Sequence, residues 1–177
     1  MKAYSKYTSF LATFLLFGFY GFKSHAQNSV TLNIKLFPIQ TLVVNPAQQD
    51  ITLHYATKAD YNTGVTSLQS DHLTIYSTSG FQVKVNTNER TANGIPLSTI
   101  SIIPSSGSNP IEQSHVEYQE KSLSNEEQPI ITSTTGGVNK NFNISYKGSG
   151  ANMYIDYSSS ATTETYSYDV VYTIVSQ

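Results

Sequence analysis

Residues 165–175 read TYSYDVVYTIV, and this stretch indicates most clearly how the chain folds. Aromatic and β-branched side chains occupy alternate positions: Tyr166, Tyr168, Val170, Tyr172 and Ile174. An alternation of period two is the pattern of a β-strand, because successive side chains point to opposite faces. The other face also becomes apolar toward its end, at Val171 and Val175. We therefore predict a long strand that lies centrally in its sheet.

The same alternation recurs along the chain, separated by turn residues, and helical periodicity is nearly absent. The clearest pair is a predicted hairpin over residues 72–85, with residues 77–80 as its turn. Further strands are predicted at residues 30–36, 39–44, 51–55, 97–103, 116–118, 129–132, 142–146 and 153–157. The sequence thus predicts an all-β chain folded as an immunoglobulin-like antiparallel two-sheet β-sandwich, with a closed barrel as the alternative.

Residues 1–26 have the pattern of a cleavable signal peptide. Lys2 and Lys6 give a positive start, residues 10–22 form an uncharged apolar run of 13, and Ser24 and Ala26 are small residues at positions −3 and −1. A run of this length is too short for a spanning helix, which needs about 20 residues. We expect a single domain over residues 27–177, without a transmembrane anchor, exported to the periplasm, the outer surface or the medium.

The charge of the chain argues against a nucleic-acid partner, and its composition excludes disulfides. Three of the ten basic residues lie within residues 1–26, which leaves seven against twelve acidic residues and a net charge of −5. Nucleic-acid binding depends on clustered Lys and Arg, so no nucleic-acid partner is expected. The chain contains no cysteine and hence no disulfide.

Motifs for catalysis or metal binding are weak throughout. His54, His72 and His115 lack metal-site spacing and are interpreted as half-exposed strand residues. Residues 70–72, Ser-Asp-His, contain the types of a hydrolase triad, but neighbouring strand residues do not converge. Residues 60–64, DYNTG, fit a turn better than a calcium loop. We predict no catalytic residue, no cofactor, no metal and no enzyme activity.

Tyrosine offers one route to binding. The amphipathic ring suits a wet interface, and an exposed tyrosine face would bind a surface glycan or another ligand. The candidate residues are Tyr154, Tyr157, Tyr166 and Tyr168. Tyrosine is also a favoured strand residue that packs against its neighbours, and the sequence leaves both interpretations open.

Three segments carry a family resemblance: residues 30–36 (VTLNIKL), residues 95–102 (IPLSTISI) and residues 168–174 (YDVVYTI). In this layout the chain resembles the secreted pilin-like β-sandwich proteins of bacteria, of the spore coat protein U type and similar surface domains. The resemblance implies an immunoglobulin-like sandwich with a cell-surface or fibre-forming role and no active site. Unlike usher-type pilins, this chain has no cysteine pair.

The first alternating segment suggests how such a protein assembles. Its four apolar residues are Val30, Leu32, Ile34 and Leu36. A segment of this kind can complete a neighbour's sheet by β-augmentation, with backbone hydrogen bonds for affinity and apolar side chains for register. The favoured function is a non-catalytic secreted or cell-surface structural or adhesion module whose partners are other protein subunits. The alternative is an extracytoplasmic module that binds a glycan or another ligand.

Overall fold

The computed structural model describes residues 27–89, 94–159 and 162–177. The chain divides into two compact units, Met1–Leu36 and Phe37–Gln177. In the first unit residues 27–36 are described; they form no strand and are exposed. The predicted signal peptide lies outside the described residues.

The described part of the second unit contains nine β-strands and one short α-helix. The strands are β1 (Gln40–Val44), β2 (Val65–Ser77), β3 (Phe81–Glu89), β4 (Ile100–Ser106), β5 (Val116–Tyr118), β6 (Lys121–Ser122), β7 (Gln128–Ser133), β8 (Gly137–Gly148) and β9 (Tyr168–Ser176). The helix α1 spans Lys58–Thr63. Short 3₁₀ turns lie at Pro46–Gln48, Leu97–Thr99, Gln113–His115 and Ile155–Tyr157.

The strands form two antiparallel sheets. One has the order β1-β2-β8-β4-β6 and the other the order β5-β7-β3-β9. Because the strands pair within two separate sheets, the predicted two-sheet sandwich is confirmed and the closed barrel is wrong. Of the described residues, none belongs to a helix long and apolar enough to cross a membrane.

The core lies between the inner faces of the two sheets. Phe81 from β3 and Phe142 from β8 meet edge to face, with ring centroids 6.3 Å apart, and both are fully buried. Around them lie other fully buried side chains: Leu73, Ile75, Val83, Ile102, Ile130, Ile131 and Ile144. Most of these residues occupy alternate positions in their strands, which is why period-two patterns located most of the sheet correctly.

The predicted hairpin over residues 72–85 is wrong as a pairing, although both strands exist. β2 pairs with β1 and β8, whereas β3 pairs with β7 and β9. Residues 78–80 therefore carry the chain from one sheet to the other. Both strands direct apolar side chains to the shared core, so their sequence pattern resembles that of a hairpin.

The position predicted for the last strand is also wrong. β9 pairs with β3 over nine residues and is the outermost strand of its sheet. Its outer face carries Val171, which is 39% exposed, so its second apolar face is not buried beneath another layer. Apolar residues on both faces misled the prediction.

Three predicted strands are absent. Among the described residues, residues 30–36 and 51–55 pair with no strand, and residues 153–157 form turns. Ile51 and Leu53 still pack against the core from this unpaired segment. In residues 51–55, alternation thus marks the side chains that pack against the core but does not show whether the backbone is paired.

Residues 60–63 belong to a capped helix that Gly64 ends, rather than to the predicted turn. The Thr57 hydroxyl accepts a hydrogen bond from the Asp60 N–H at 3.3 Å, and the Asp60 carboxylate accepts from the Thr57 N–H at 2.7 Å. This reciprocal capping box starts α1, and Gly64 ends it with a φ of 84°. The Asp60 carboxylate, the first residue of the disfavoured calcium loop, is engaged in the cap through Oδ2.

Candidate functional site

The exposed apolar segment at residues 30–36 is the most unusual surface of the described chain. Val30, Leu32, Ile34 and Leu36 are 93%, 83%, 76% and 88% exposed. Single exposed apolar residues are common, but a cluster of several exposed apolar residues marks an interaction site. The segment has no strand partner among the described residues. The segment therefore has the sequence pattern of a β-strand but belongs to no sheet of the described residues.

A second feature, in the other compact unit, is the outer edge of β9 from Val170 to Ser176. Gln177 donates its N–H to the Gly80 carbonyl at 3.2 Å, so odd-numbered amides here point toward β3. Consistently, Thr87 lies opposite Val170 but donates its own N–H to Ser124, away from β9. The backbone groups of Val170, Tyr172 and Ile174 therefore point outward, where no strand of the described residues pairs with them.

The core is least covered on this side of the sandwich. The Ser176 hydroxyl donates to Gln40 Oε1 at 3.2 Å, which places the β9 edge beside the β1 edge of the other sheet. Ten hydrophobic residues pack against the core while only partly buried, and seven of them lie in β1, in residues 51–53 or in β9. They are Leu42, Val44, Ile51, Leu53, Val170, Tyr172 and Ile174. An additional strand on β9 would cover apolar surface that now reaches solvent.

A buried hydrogen-bond chain crosses the sandwich close to this edge. His72 Nδ1 lies 2.9 Å from Gln48 Oε1, His72 Nε2 lies 2.8 Å from the Tyr146 hydroxyl, and that hydroxyl lies 2.7 Å from the Tyr172 hydroxyl. The Gln48 amide NH₂ donates to the Ser70 carbonyl, so its oxygen faces the ring. His72 is therefore protonated on Nδ1, and Nε2 accepts from Tyr146. The chain joins β2 and β8 in one sheet to β9 in the other.

Burial determines the ionisation of the three titratable groups in this hydrogen-bond chain. It lowers the pKa of His72 below 6.5, raises the pKa of Tyr146 to about 12 and raises that of Tyr172 well above 10. Each shift disfavours the charged form, because no counter-ion offsets the lost hydration. The three groups are neutral at physiological pH and act as hydrogen-bonding residues.

Sequence reasoning missed this role of His72, which was predicted to be half exposed and is 1% exposed. Asp71 has a φ of 49°, and the pairing of β2 with β8 shifts register between Gln69 and Leu73. This bulge interrupts the alternation, so His72 and Leu73 both point into the core. A positive φ at an aspartate is difficult to predict from the sequence, since Asp tolerates that region better than most residues.

The Ser-Asp-His series does not converge. Asp71 accepts hydrogen bonds from the N–H and the hydroxyl of Ser108, at 2.8 and 2.6 Å, and these contacts lower the pKa of its carboxyl. His72 points inward to Tyr146 instead. The carboxylates of residues 117, 120, 126, 127 and 156 are all exposed, and Glu127 pairs with Lys84 at 3.6 Å. Within the described ranges, no group of three His, Cys, Asp or Glu residues is arranged to hold a metal.

The other two histidines, His54 and His115, lie apart from the hydrogen-bond chain of His72. His54 is exposed, and His115 lies 3.9 Å from the Glu112 carboxylate. His115 also contacts the Thr134 hydroxyl at 3.3 Å. The structure therefore does not bring the three histidines together.

The predicted tyrosine face is divided among different environments. Tyr154 is 5% exposed and its hydroxyl donates to the Thr99 carbonyl, so the expectation of an exposed ring is wrong for this residue. Tyr157 and Tyr166 are half buried, with centroids 6.0 Å apart, and the Tyr166 hydroxyl donates to the Tyr157 carbonyl. Tyr168 donates to the Ile95 carbonyl. These hydroxyls tie loops together.

A different set of rings surrounds the loop after β8. Tyr55 lies between Tyr61 and Tyr154, at centroid distances of 5.5 and 5.0 Å, and donates to the Ser149 carbonyl. Burial raises the pKa of Tyr55 to about 12. An open cavity of about 360 Å³ beside this cluster is lined by Lys58, Tyr61, Asn152, Ile155 and Ser158. None of the four predicted tyrosines lines this cavity.

No protein-family model matches the chain, and a search of curated proteins finds no match. The geometry of the described residues therefore carries the functional argument.

Proposed function

We propose that this protein is a non-catalytic structural module of the cell surface, exported by the signal at residues 1–26, that joins other subunits by strand donation. The donated strand is residues 30–36. The observation that supports this function is the exposure of Val30, Leu32, Ile34 and Leu36 in strict alternation with polar residues. The proposal agrees with the resemblance to pilin-like sandwich proteins.

The energetics favour pairing. Burying one Val, Leu or Ile side chain contributes roughly 1.5–3 kcal/mol, and the segment exposes four such side chains. In a strand these four share one face, and Thr31, Asn33 and Lys35 share the other. When the segment joins a sheet, its apolar face turns to a core and its polar face to water. In an isolated strand the apolar face stays exposed to water.

Matched charge variants test this function. One double variant, Leu32→Lys with Ile34→Lys, places two charges on the apolar face. The control, Thr31→Lys with Asn33→Lys, adds the same charge to the same segment on the polar face. Light scattering over a range of concentrations then measures the molar mass of both variants and of the unsubstituted protein.

The expected result is face-specific. The unsubstituted protein and the control assemble, and the Leu32→Lys, Ile34→Lys variant stays monomeric. A monomeric unsubstituted protein at every concentration, or equal assembly of both double variants, would overturn the proposed function.

A further inference from the structure

We infer that the outer edge of β9, from Val170 to Ser176, is the acceptor for residues 30–36 of a second copy of this chain. The inference rests on the proposed function and names the surface to which the strand is donated. It also commits to one occupant, the VTLNIKL segment, in preference to a second β9 strand or an unrelated peptide.

Backbone chemistry supports the edge itself. The N–H and C=O groups of Val170, Tyr172 and Ile174 point away from β3, and no strand of the described chain pairs with them. From Val170 to Ser176 the edge of β9 offers seven residues, and the segment also supplies seven. At about 3.3 Å per residue, a seven-residue strand spans roughly 23 Å and fits along that edge. The other outermost strands are shorter: β1 has five residues, β5 has three and β6 has two.

Side-chain chemistry supports the occupant. Directly opposite residues of neighbouring strands share a face, and the even residues of β9 face the core. When Val30, Leu32, Ile34 and Leu36 align with those even residues, the apolar face of the segment covers the half-buried side of the core. A second β9 strand fits this role less well, because its own even residues already pack against a core.

The polar face of the segment then lies beside the outer face of β9. Thr31, Asn33 and Lys35 align with the odd residues, among them Val171, Thr173 and Val175. Because the even residues form the hydrogen-bonded pairs with the new strand, an antiparallel arrangement makes the odd positions the close, non-hydrogen-bonded pairs. Such positions suit a disulfide, and the unsubstituted chain has no cysteine to compete.

Cysteine pairing between two single variants tests the inference. The full-length sequence is used to produce Asn33→Cys and, separately, Thr173→Cys with a mass tag. The two proteins are mixed and oxidised, and a tagged heterodimer on a non-reducing gel reports an intermolecular contact. Val171→Cys and Val175→Cys sample the neighbouring registers. Val43→Cys on β1 and Glu117→Cys on β5 are exposed controls on other edges.

The expected result is that Asn33→Cys forms a heterodimer with at least one of the three β9 variants. It should form none with Val43→Cys or Glu117→Cys. Adding Leu32→Lys and Ile34→Lys to the Asn33→Cys chain should abolish the heterodimer. A synthetic peptide of residues 29–36 should compete for the edge, and the same peptide with both lysines should not.

Three results would overturn the inference. The first is a heterodimer with Val43→Cys or Glu117→Cys that equals or exceeds those with β9. The second is the absence of every β9 heterodimer in samples that assemble by light scattering. The third is a monomeric disulfide as the main product of an Asn33→Cys, Thr173→Cys double variant. Each leaves face-specific assembly intact, so failure of this inference is distinguishable from failure of the proposed function.

Discussion

The hydroxyl of Tyr146 on β8 lies 2.8 Å from Nε2 of His72 on β2, and both residues are buried. Since Gln48 holds the ring proton on Nδ1, Tyr146 is the donor to Nε2. Tyr146→Phe leaves that nitrogen buried without a partner, which should lower the free energy of unfolding by about 1–3 kcal/mol. Urea unfolding measures the change.

Tyr172→Phe is the matched control for that variant. Tyr172 donates to the Tyr146 oxygen, so its removal leaves the bond from Tyr146 to His72 intact. The cost should be smaller, about 0.5–1.5 kcal/mol. Equal losses in the two variants would contradict the assigned direction of the chain.

Stability should fall as the solution is acidified below about pH 6.5, the ordinary value for histidine. Burial lowers the pKa of folded His72, so the unfolded chain binds the proton first, and protons favour unfolding between the folded pKa and 6.5. The contribution of neutral His72 is complete above that window and decreases through it. Urea midpoints recorded from neutral pH downward measure the trend.

Two substitutions assign this pH dependence to one residue. His72→Gln should flatten it, whereas His54→Gln, at an exposed position, should preserve it. If the His72→Gln protein loses stability with acid as the unsubstituted protein does, the trend has another source.

Tyr118→Phe should stabilise the protein by up to about 1 kcal/mol, since a buried hydroxyl without a partner carries a desolvation cost. The Tyr118 hydroxyl is buried and has no hydrogen-bond partner within the described residues, while its ring meets Phe142 at 6.3 Å. Thermal unfolding checks the change. Tyr118→Leu, which also removes the ring contact, should destabilise; a stabilising Leu variant would argue that the ring itself is strained.

Gly64→Ala should destabilise the protein by about 1–3 kcal/mol, the usual cost of a backbone forced into a sparsely populated region. Gly64 has a φ of 84°, and an added Cβ would lie 2.5 Å from the Gly148 carbonyl oxygen. At Gly137 a Cβ would meet the flexible Lys140 side chain instead. Gly137→Ala should therefore cost less in the same unfolding assay. A larger loss at Gly137 would disprove this reasoning.

Local patterns in the sequence predicted the fold class and the core better than they predicted pairing. Phe142 and Ile144 alternate and are buried, as expected. Ile51 and Leu53 alternate too, yet their backbone pairs with no strand. The alternation of apolar side chains is a local property of the sequence, whereas strand pairing depends on residues far away in the chain. A short window of sequence therefore shows the alternation but not the pairing.

The candidate site was predictable in the same unequal way. Val30 to Leu36 could be named from alternation alone, although the prediction that they form a paired strand in their own chain was wrong. The position of β9 was predicted wrongly because Val171 suggested burial on both faces. His72 escaped notice because the Asp71 bulge reverses the expected face. Sheet edges and bulges are set when the strands assemble, so local sequence patterns do not show them.

The proposed donor and acceptor surfaces differ, and this has a consequence for the assembly they would form. Residues 30–36 belong to one compact unit and β9 to the other, so each copy would offer one strand and receive one. Contacts of this heterologous kind are directional. They give a ring if the rotation between copies closes and an open filament if it does not. A filament built this way has two unlike ends, one with a vacant edge and one with an unused strand, and its growth at either end is controlled by whatever covers that end.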